Sequence, residues 1–191
     1  MRSICVFCGS KYGNKPAFKA AAIEMGTQIA KSGLELIYGG GHVGLMGALA
    51  DAALAAGGKV IGVIPEDLVK KEVSHKGLTL LTIVKSMHER KAKMAELSDG
   101  FIAIPGGYGT LEEFCEVLTW SILGIHKKPC GILNIEGYFD PLLKFFDDSA
   151  KCEFITQEHR DLVLVSDSVS DLLKRMQEYK HTARERYYER S

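Results

Sequence analysis

Glu113 and Arg90 are the charged side chains whose surroundings point most directly to chemistry. Glu113 closes the run Pro105-Gly106-Gly107-Tyr108-Gly109-Thr110-Leu111-Glu112-Glu113. There an apolar segment stops at a glycine-rich turn and a helical pattern begins. A strand, a glycine turn and a helix N-terminus together present free backbone N–H groups and the positive end of a helix dipole, which suits a phosphate. A carboxylate beside such a turn can face positive charge that develops as a bond breaks. Arg90 lies three residues after Met87 and four before Met94, on the helix face that packs inward, where a guanidinium calls for a carboxylate or phosphate. Both have structural alternatives. Thr110-Leu111-Glu112-Glu113 also fits a capping box, which spacing alone favours, and Arg90 could run its stem along apolar surface with a wet head.

The elements that must carry these residues follow from periodicity and turn chemistry. Strands are predicted over 3–7, 34–38, 59–64, 78–84, 101–104, 128–134 and, as a short apolar run, 162–165. Helices are predicted over 16–31, from the glycine-rich stretch 39–47 to about 56, from Ser86 to 97, and over 110–125, 138–150 and 168–180. Ser86-Met87-His88-Glu89 has capping-box spacing, Gly33 ends the first helix, and 66–77 reads as a polar surface loop. Strands alternating with helices predict an α/β fold: a single Rossmann-like domain over 1–180, its mostly parallel sheet flanked by helices on both faces, with a polar tail at 181–191. Right-handed crossovers then bring every strand-to-helix turn to one sheet edge, where ligands bind.

Gly39-Gly40-Gly41-His42-Val43-Gly44 fits G-x-G-x-x-G between a strand and a helix. It departs from the dinucleotide fingerprint by not opening the domain and by lacking an acid at the end of the next strand. A tight turn with close helix–sheet packing explains it equally well. Cys5-Val6-Phe7-Cys8 lies within a strand, no second pair completes a zinc site, and the six histidines show no metal-ligand spacing. Five cysteines among apolar segments read as reduced core thiols.

The 191 residues carry 24 Lys and Arg against 24 Asp and Glu, so no basic field points to nucleic acid. No signal segment or membrane-length apolar run is evident, and a cytoplasmic protein is expected. The helix after the key turn is apolar nearly all round, with Leu111, Phe114, Cys115, Leu118, Ile122 and Ile125 on one side and Val117, Trp120 and Leu123 on others. One sheet face cannot cover all of these, so a homodimer is expected. Met46, Met87 and Trp120 could line a ligand pocket or fill core, and core filling is favoured.

Three stretches together resemble the LOG (Lonely Guy) family of phosphoribohydrolases: Gly39 to Gly47, Met87-His88-Glu89-Arg90-Lys91, and Pro105 to Glu113, the last matching PGGxGTxxE in full. The likeness keeps the family's order and spacing over nearly the whole chain. It implies hydrolysis of the N-glycosidic bond of a nucleoside 5′-monophosphate, an N6-modified adenosine monophosphate in particular, to free base and ribose 5-phosphate. It also implies Arg90 and Glu113 as the catalytic pair, with substrate contacts at Glu72, Arg90, Lys91, Gly107, Tyr108, Gly109, Thr110, Leu111, Glu112, Glu113 and Thr119. No metal or other cofactor is implied. Relatives have been labelled lysine decarboxylases, yet nothing in the sequence suggests a pyridoxal phosphate site. Two rival classes use the same turns: a carrier or sensor that binds a nucleotide without cleaving it, and a nicotinamide-dependent oxidoreductase built on Gly39 to Gly44.

Overall fold

The computed structural model describes residues 1–70 and 74–181. In chain order the elements are β1 (Ser3–Phe7), α1 (Pro16–Lys31), β2 (Glu35–Tyr38), α2 (Gly44–Ala55), β3 (Val60–Pro65), α3 (Glu66–Lys70), β4 (Leu80–Val84) and α4 (Met87–Leu97). They continue with β5 (Phe101–Ala103), α5 (Tyr108–Ile122), β6 (Cys130–Leu133), a 3-10 turn at Ile135–Gly137, α6 (Asp140–Lys151), α7 (Gln157–Arg160), β7 (Val163–Ser166) and α8 (Val169–Glu178).

Seven strands form one sheet in the order β4-β3-β2-β1-β5-β6-β7, every neighbouring pair parallel. All five residues of β1 are buried, as expected of a central strand covered on both faces. Alternation along β1 divides the core. Ile4 and Val6 join Met25, Ile29, Leu49 and Leu172 beneath α1, α2 and α8. Cys5 and Phe7 join Met94, Phe114, Val117 and Leu118 beneath α4 and α5. From β1 the chain moves through β2 and β3 to the β4 edge, then returns to β1's other side as β5. The topological switch therefore lies between β1 and β5, and the crevice at their carboxyl ends is where an open parallel sheet binds ligands.

Three local expectations are corrected. The segment 66–77 is not all loop, since α3 forms directly after Pro65. The helix after the key turn begins at Tyr108 rather than Thr110 and ends at Ile122. Its N-cap is Gly107, with no side-chain cap, so Thr110 sits inside the first turn and its capping box with Glu113 does not form. Of the polar tail, only residue 181 lies within the described residues.

Candidate active site

Three turns meet at the β1/β5 crevice and are tied together by their backbones. Gly9 N–H donates to the Pro105 carbonyl at 3.1 Å, Ile104 N–H to the Phe7 carbonyl at 3.0 Å, and Leu45 N–H to the Gly9 carbonyl at 3.1 Å. Gly106 permits the closest approach. A Cβ there would lie 2.1 Å from the Thr110 hydroxyl oxygen and 2.8 Å from the Gly9 nitrogen, so only glycine lets Thr110 tuck over the turn. The Thr110 side chain is accordingly buried.

α5 starts above this turn. Leu111 N–H reaches the Gly107 carbonyl at 3.1 Å, while Tyr108, Gly109 and Thr110 carry the N–H groups that a helix leaves without intrahelical partners. A Cβ on Gly107 or Gly109 would meet nothing within 4 Å. The helix start therefore opens onto free space, and its dipole favours an anion there.

The cavity in front has a volume of about 440 Å³. Cys8, Gly9 and Ser10 from the β1 turn, Gly39 and Gly41 from the β2 turn, and Arg90 from α4 line it, with Gly107, Tyr108, Gly109, Thr110, Glu112 and Glu113 opposite. Val43, Met46, Ile64, Leu68 and Met87 supply an apolar wall. Met46 lines the cavity and also packs against the core, Met87 lines it while 46% exposed and is not core filling, and Trp120 packs against the core without lining the cavity. A smaller cavity of about 270 Å³ shares Gly9, Ser10 and Gly107 and is lined by Tyr12, Phe18 and Tyr138. It is lined by no carboxylate, whereas Glu112 and Glu113 line the larger one.

Arg90 is held in the first turn of α4. The Ser86 hydroxyl accepts from Glu89 N–H at 3.1 Å, and the Glu89 carboxylate accepts from Lys85 N–H at 2.8 Å. The reciprocal cap expected at Ser86 is present, reaching back one residue further than usual. Arg90 itself is 9% exposed. Its Nη2 donates to the Gly39 carbonyl at 3.1 Å, its Nη1 approaches the Met87 sulfur at 3.8 Å, and its buried Nε has no partner among the described residues. Glu113 is half-buried. Its carboxyl is pushed above the ordinary value chiefly by burial, with Glu112 and Glu116 adding to the rise and Arg90 and Lys91 opposing it.

The remaining expected contacts lie elsewhere. Lys91 pairs with Glu112 and, at 3.1 Å, with Glu116 on α5. Thr119 is exposed further along α5, its hydroxyl donating to the Cys115 carbonyl at 2.7 Å. Lys91, Leu111 and Thr119 do not line the cavity, and Glu72 lies outside the described residues. Leu68, which sequence reasoning missed, arrives on α3. In the Gly39–Gly44 stretch, Gly44 has φ +60° and a Cβ there would lie 2.3 Å from the Ser10 carbonyl carbon. The tight-turn, close-packing reading thus accounts for it. Among the described residues, no group of three His, Cys, Asp or Glu side chains is arranged to hold a metal ion.

Comparison with known proteins gives this geometry a family. The model of the family described as "Possible lysine decarboxylase" matches residues 46–176. A probable cytokinin riboside 5′-monophosphate phosphoribohydrolase from Oryza sativa subsp. japonica is 49% identical over 182 residues, covering 95% of this chain and 82% of its own. A cytokinin riboside 5′-monophosphate phosphoribohydrolase from Arabidopsis thaliana is 48% identical over 178 residues, 93% of this chain and 84% of its own. Among solved structures, the molybdenum cofactor binding protein from Rippkaea orientalis shares the fold with a TM-score of 0.71 at 22% identity, over 93% of this chain and 97% of that one. By the family model, by near-half identity over almost its full length, and by the intact motif at the mouth of α5, the chain belongs to the LOG family.

Proposed function

We propose that this protein hydrolyses the N-glycosidic bond of a nucleoside 5′-monophosphate, with an N6-modified adenosine monophosphate as the favoured substrate class, releasing free base and ribose 5-phosphate. The carrying observation is that Glu113 and Arg90 line one cavity together with the open N-terminus of α5. The 5′-phosphate takes the N–H groups of Tyr108, Gly109 and Thr110, with the Thr110 hydroxyl as a further donor. This puts the ribose beside Glu113 and leaves the apolar wall of Met46, Ile64, Leu68 and Met87 for the base and its substituent.

Cleavage builds positive charge on the ribose as the base departs. The Glu113 carboxylate stabilises that oxocarbenium character or activates the attacking water, as carboxylates do in glycoside hydrolysis. Arg90, with donors to spare, holds the sugar and carboxylate in register. Glu112 lies at the cavity rim. Family resemblance adds Glu72, Lys91, Leu111 and Thr119 to the proposed binding set, the last three from outside the cavity lining.

The reading includes a single domain over 1–180 and a homodimer. Leu111, Cys115, Thr119 and Ile122 share one side of α5 by helical spacing, and beyond the helix end Leu123 and Ile125 are 49% and 66% exposed. A second copy covering that side would also approach Thr119. Light scattering at micromolar concentration is expected to give the mass of two chains, and a monomer's mass would overturn this part. A cytoplasmic location belongs to the same reading, supported by five free cysteines.

The test is chromatographic: purified protein incubated with AMP and with N6-isopentenyladenosine monophosphate, with Glu113→Gln as control. Free base and ribose 5-phosphate from the wild type alone are expected, and the ratio of the two rates gives the base preference. Intact nucleotide in every tube, with binding still measurable, would replace the hydrolase with a carrier or sensor.

A further inference from the structure

Arg90 leaves α4 and ends against the turn after β2, at a residue 51 positions away in the chain. Its Nη2 donates to the Gly39 carbonyl at 3.1 Å. The same guanidinium fills the volume where a side chain at position 39 would stand. A Cβ on Gly39 would lie 1.7 Å from Nη2, 2.9 Å from Cζ and 3.5 Å from Nε, so the three nearest atoms all belong to Arg90. Gly39 is not among the glycines with positive φ. A side chain at position 39 would therefore compete with the Arg90 guanidinium for space, and backbone freedom is not what glycine supplies there.

We propose that Gly39 is a positioning residue for Arg90: its carbonyl and its missing Cβ form a seat that sets where the guanidinium faces the cavity. This rests on the hydrolase reading above. A buried guanidinium on a flexible stem has many possible directions, and one hydrogen bond fixes few of them. The seat adds a steric limit at the cavity wall that Gly39 and Arg90 share, and the buried Nε keeps a donor without a partner among the described residues. The first glycine of the G-x-G-x-x-G stretch thus serves an arginine and not a pyrophosphate. A methyl group at position 39 would push the fork out of its seat, and displacement of a catalytic group by about 1 Å can cost on the order of 10²-fold in rate.

The test is a double-mutant cycle of Gly39→Ala, Arg90→Ala and the pair, read by turnover of AMP, by AMP affinity in titration calorimetry and by Tm. Gly39→Ala alone is expected to fold, to lose about 10²-fold in kcat with a much smaller change in KM, and to lower Tm. In the Arg90→Ala background the same substitution is expected to cost nothing further in turnover or affinity and to leave Tm undiminished, because the atoms it would strike are gone. Wild-type turnover and affinity in Gly39→Ala, or losses that simply add in the pair, would overturn the seat. If the wild type cleaves no nucleotide, the hydrolase reading fails, and the affinity and Tm cycles still decide between a coupled and an independent Gly39.

Discussion

The carboxyl of Glu113 holds its proton more tightly than an ordinary glutamate even though the guanidinium of Arg90 pulls the other way, because burial at the cavity wall outweighs the neighbouring charge. A group that works as a carboxylate then titrates later than its type suggests. The acid limb of kcat/KM is expected to fall above pH 4.5, the ordinary value. It should move further up in Arg90→Ala, which removes the opposing charge. A pH–rate profile of the two proteins checks both the position and the direction.

The same shift has a stability consequence of defined sign. A carboxyl whose folded value is raised contributes stability that is fully present below its unfolded value and is lost as pH rises through the folded value. Ionised Glu113 is thus a burden on the ligand-free fold at neutral pH. Glu113→Gln is expected to raise Tm at pH 7, with the gain shrinking toward pH 4.5, while turnover drops by about 10² to 10⁴-fold and AMP affinity survives. Thermal melts across that range, beside single-turnover assays, measure the two effects separately.

Ser86→Ala removes the hydroxyl that accepts from Glu89 N–H at the start of α4. The expected cost is about 1 kcal/mol, seen as a lower urea midpoint with an unchanged slope. A change in slope would mean that more than a cap was lost.

Gly26 in α1 sets helix propensity against packing. Alanine there gains about 1 kcal/mol of intrinsic helix preference, but its Cβ would lie 2.2 Å from the Leu49 carbonyl oxygen of α2. Backbone cannot swing aside like a side-chain tip, so packing wins. Gly26→Ala is expected to destabilise by roughly 1–3 kcal/mol, measured by denaturant titration.

The cysteines should separate by reactivity. Burial pushes the Cys130 thiol up to about 12 and raises the Cys5 and Cys8 thiols well above the ordinary value, whereas Cys152 is exposed. Brief alkylation of the folded protein at pH 8 is expected to label Cys152 and spare those three, with peptide mass mapping as the readout.

The elements with local signals were legible from sequence. Pro16 at the first turn and Gly33 past the end delimit α1, and the unbroken apolar run 3–7 marks β1. The Thr110–Glu113 pattern misled because its spacing is that of a capping box. The helix instead begins at Tyr108, with Gly107 at φ −105° and ψ −149° serving as N-cap and Gly106 leaving room for Thr110 inside. α3 spans five residues, too few and too polar to show a period, so Leu68 could not be foreseen on the cavity wall. Which side of β1 would receive β5 is a matter of long-range pairing that no window of sequence records. The contact between Gly39 and Arg90 was invisible for the same reason.

The central place of β1 also governs how the chain can assemble as it is made. Residues 1–97 contain every strand on one side of β1 and none on the other. A nascent chain released to that point can lay down β1 to β4, but it carries the fully buried β1 with one edge bare, at the future crevice. That edge is a template for unwanted pairing until β5 emerges. The ligand crevice therefore lies at the seam where the second half of the sheet begins to be added during synthesis.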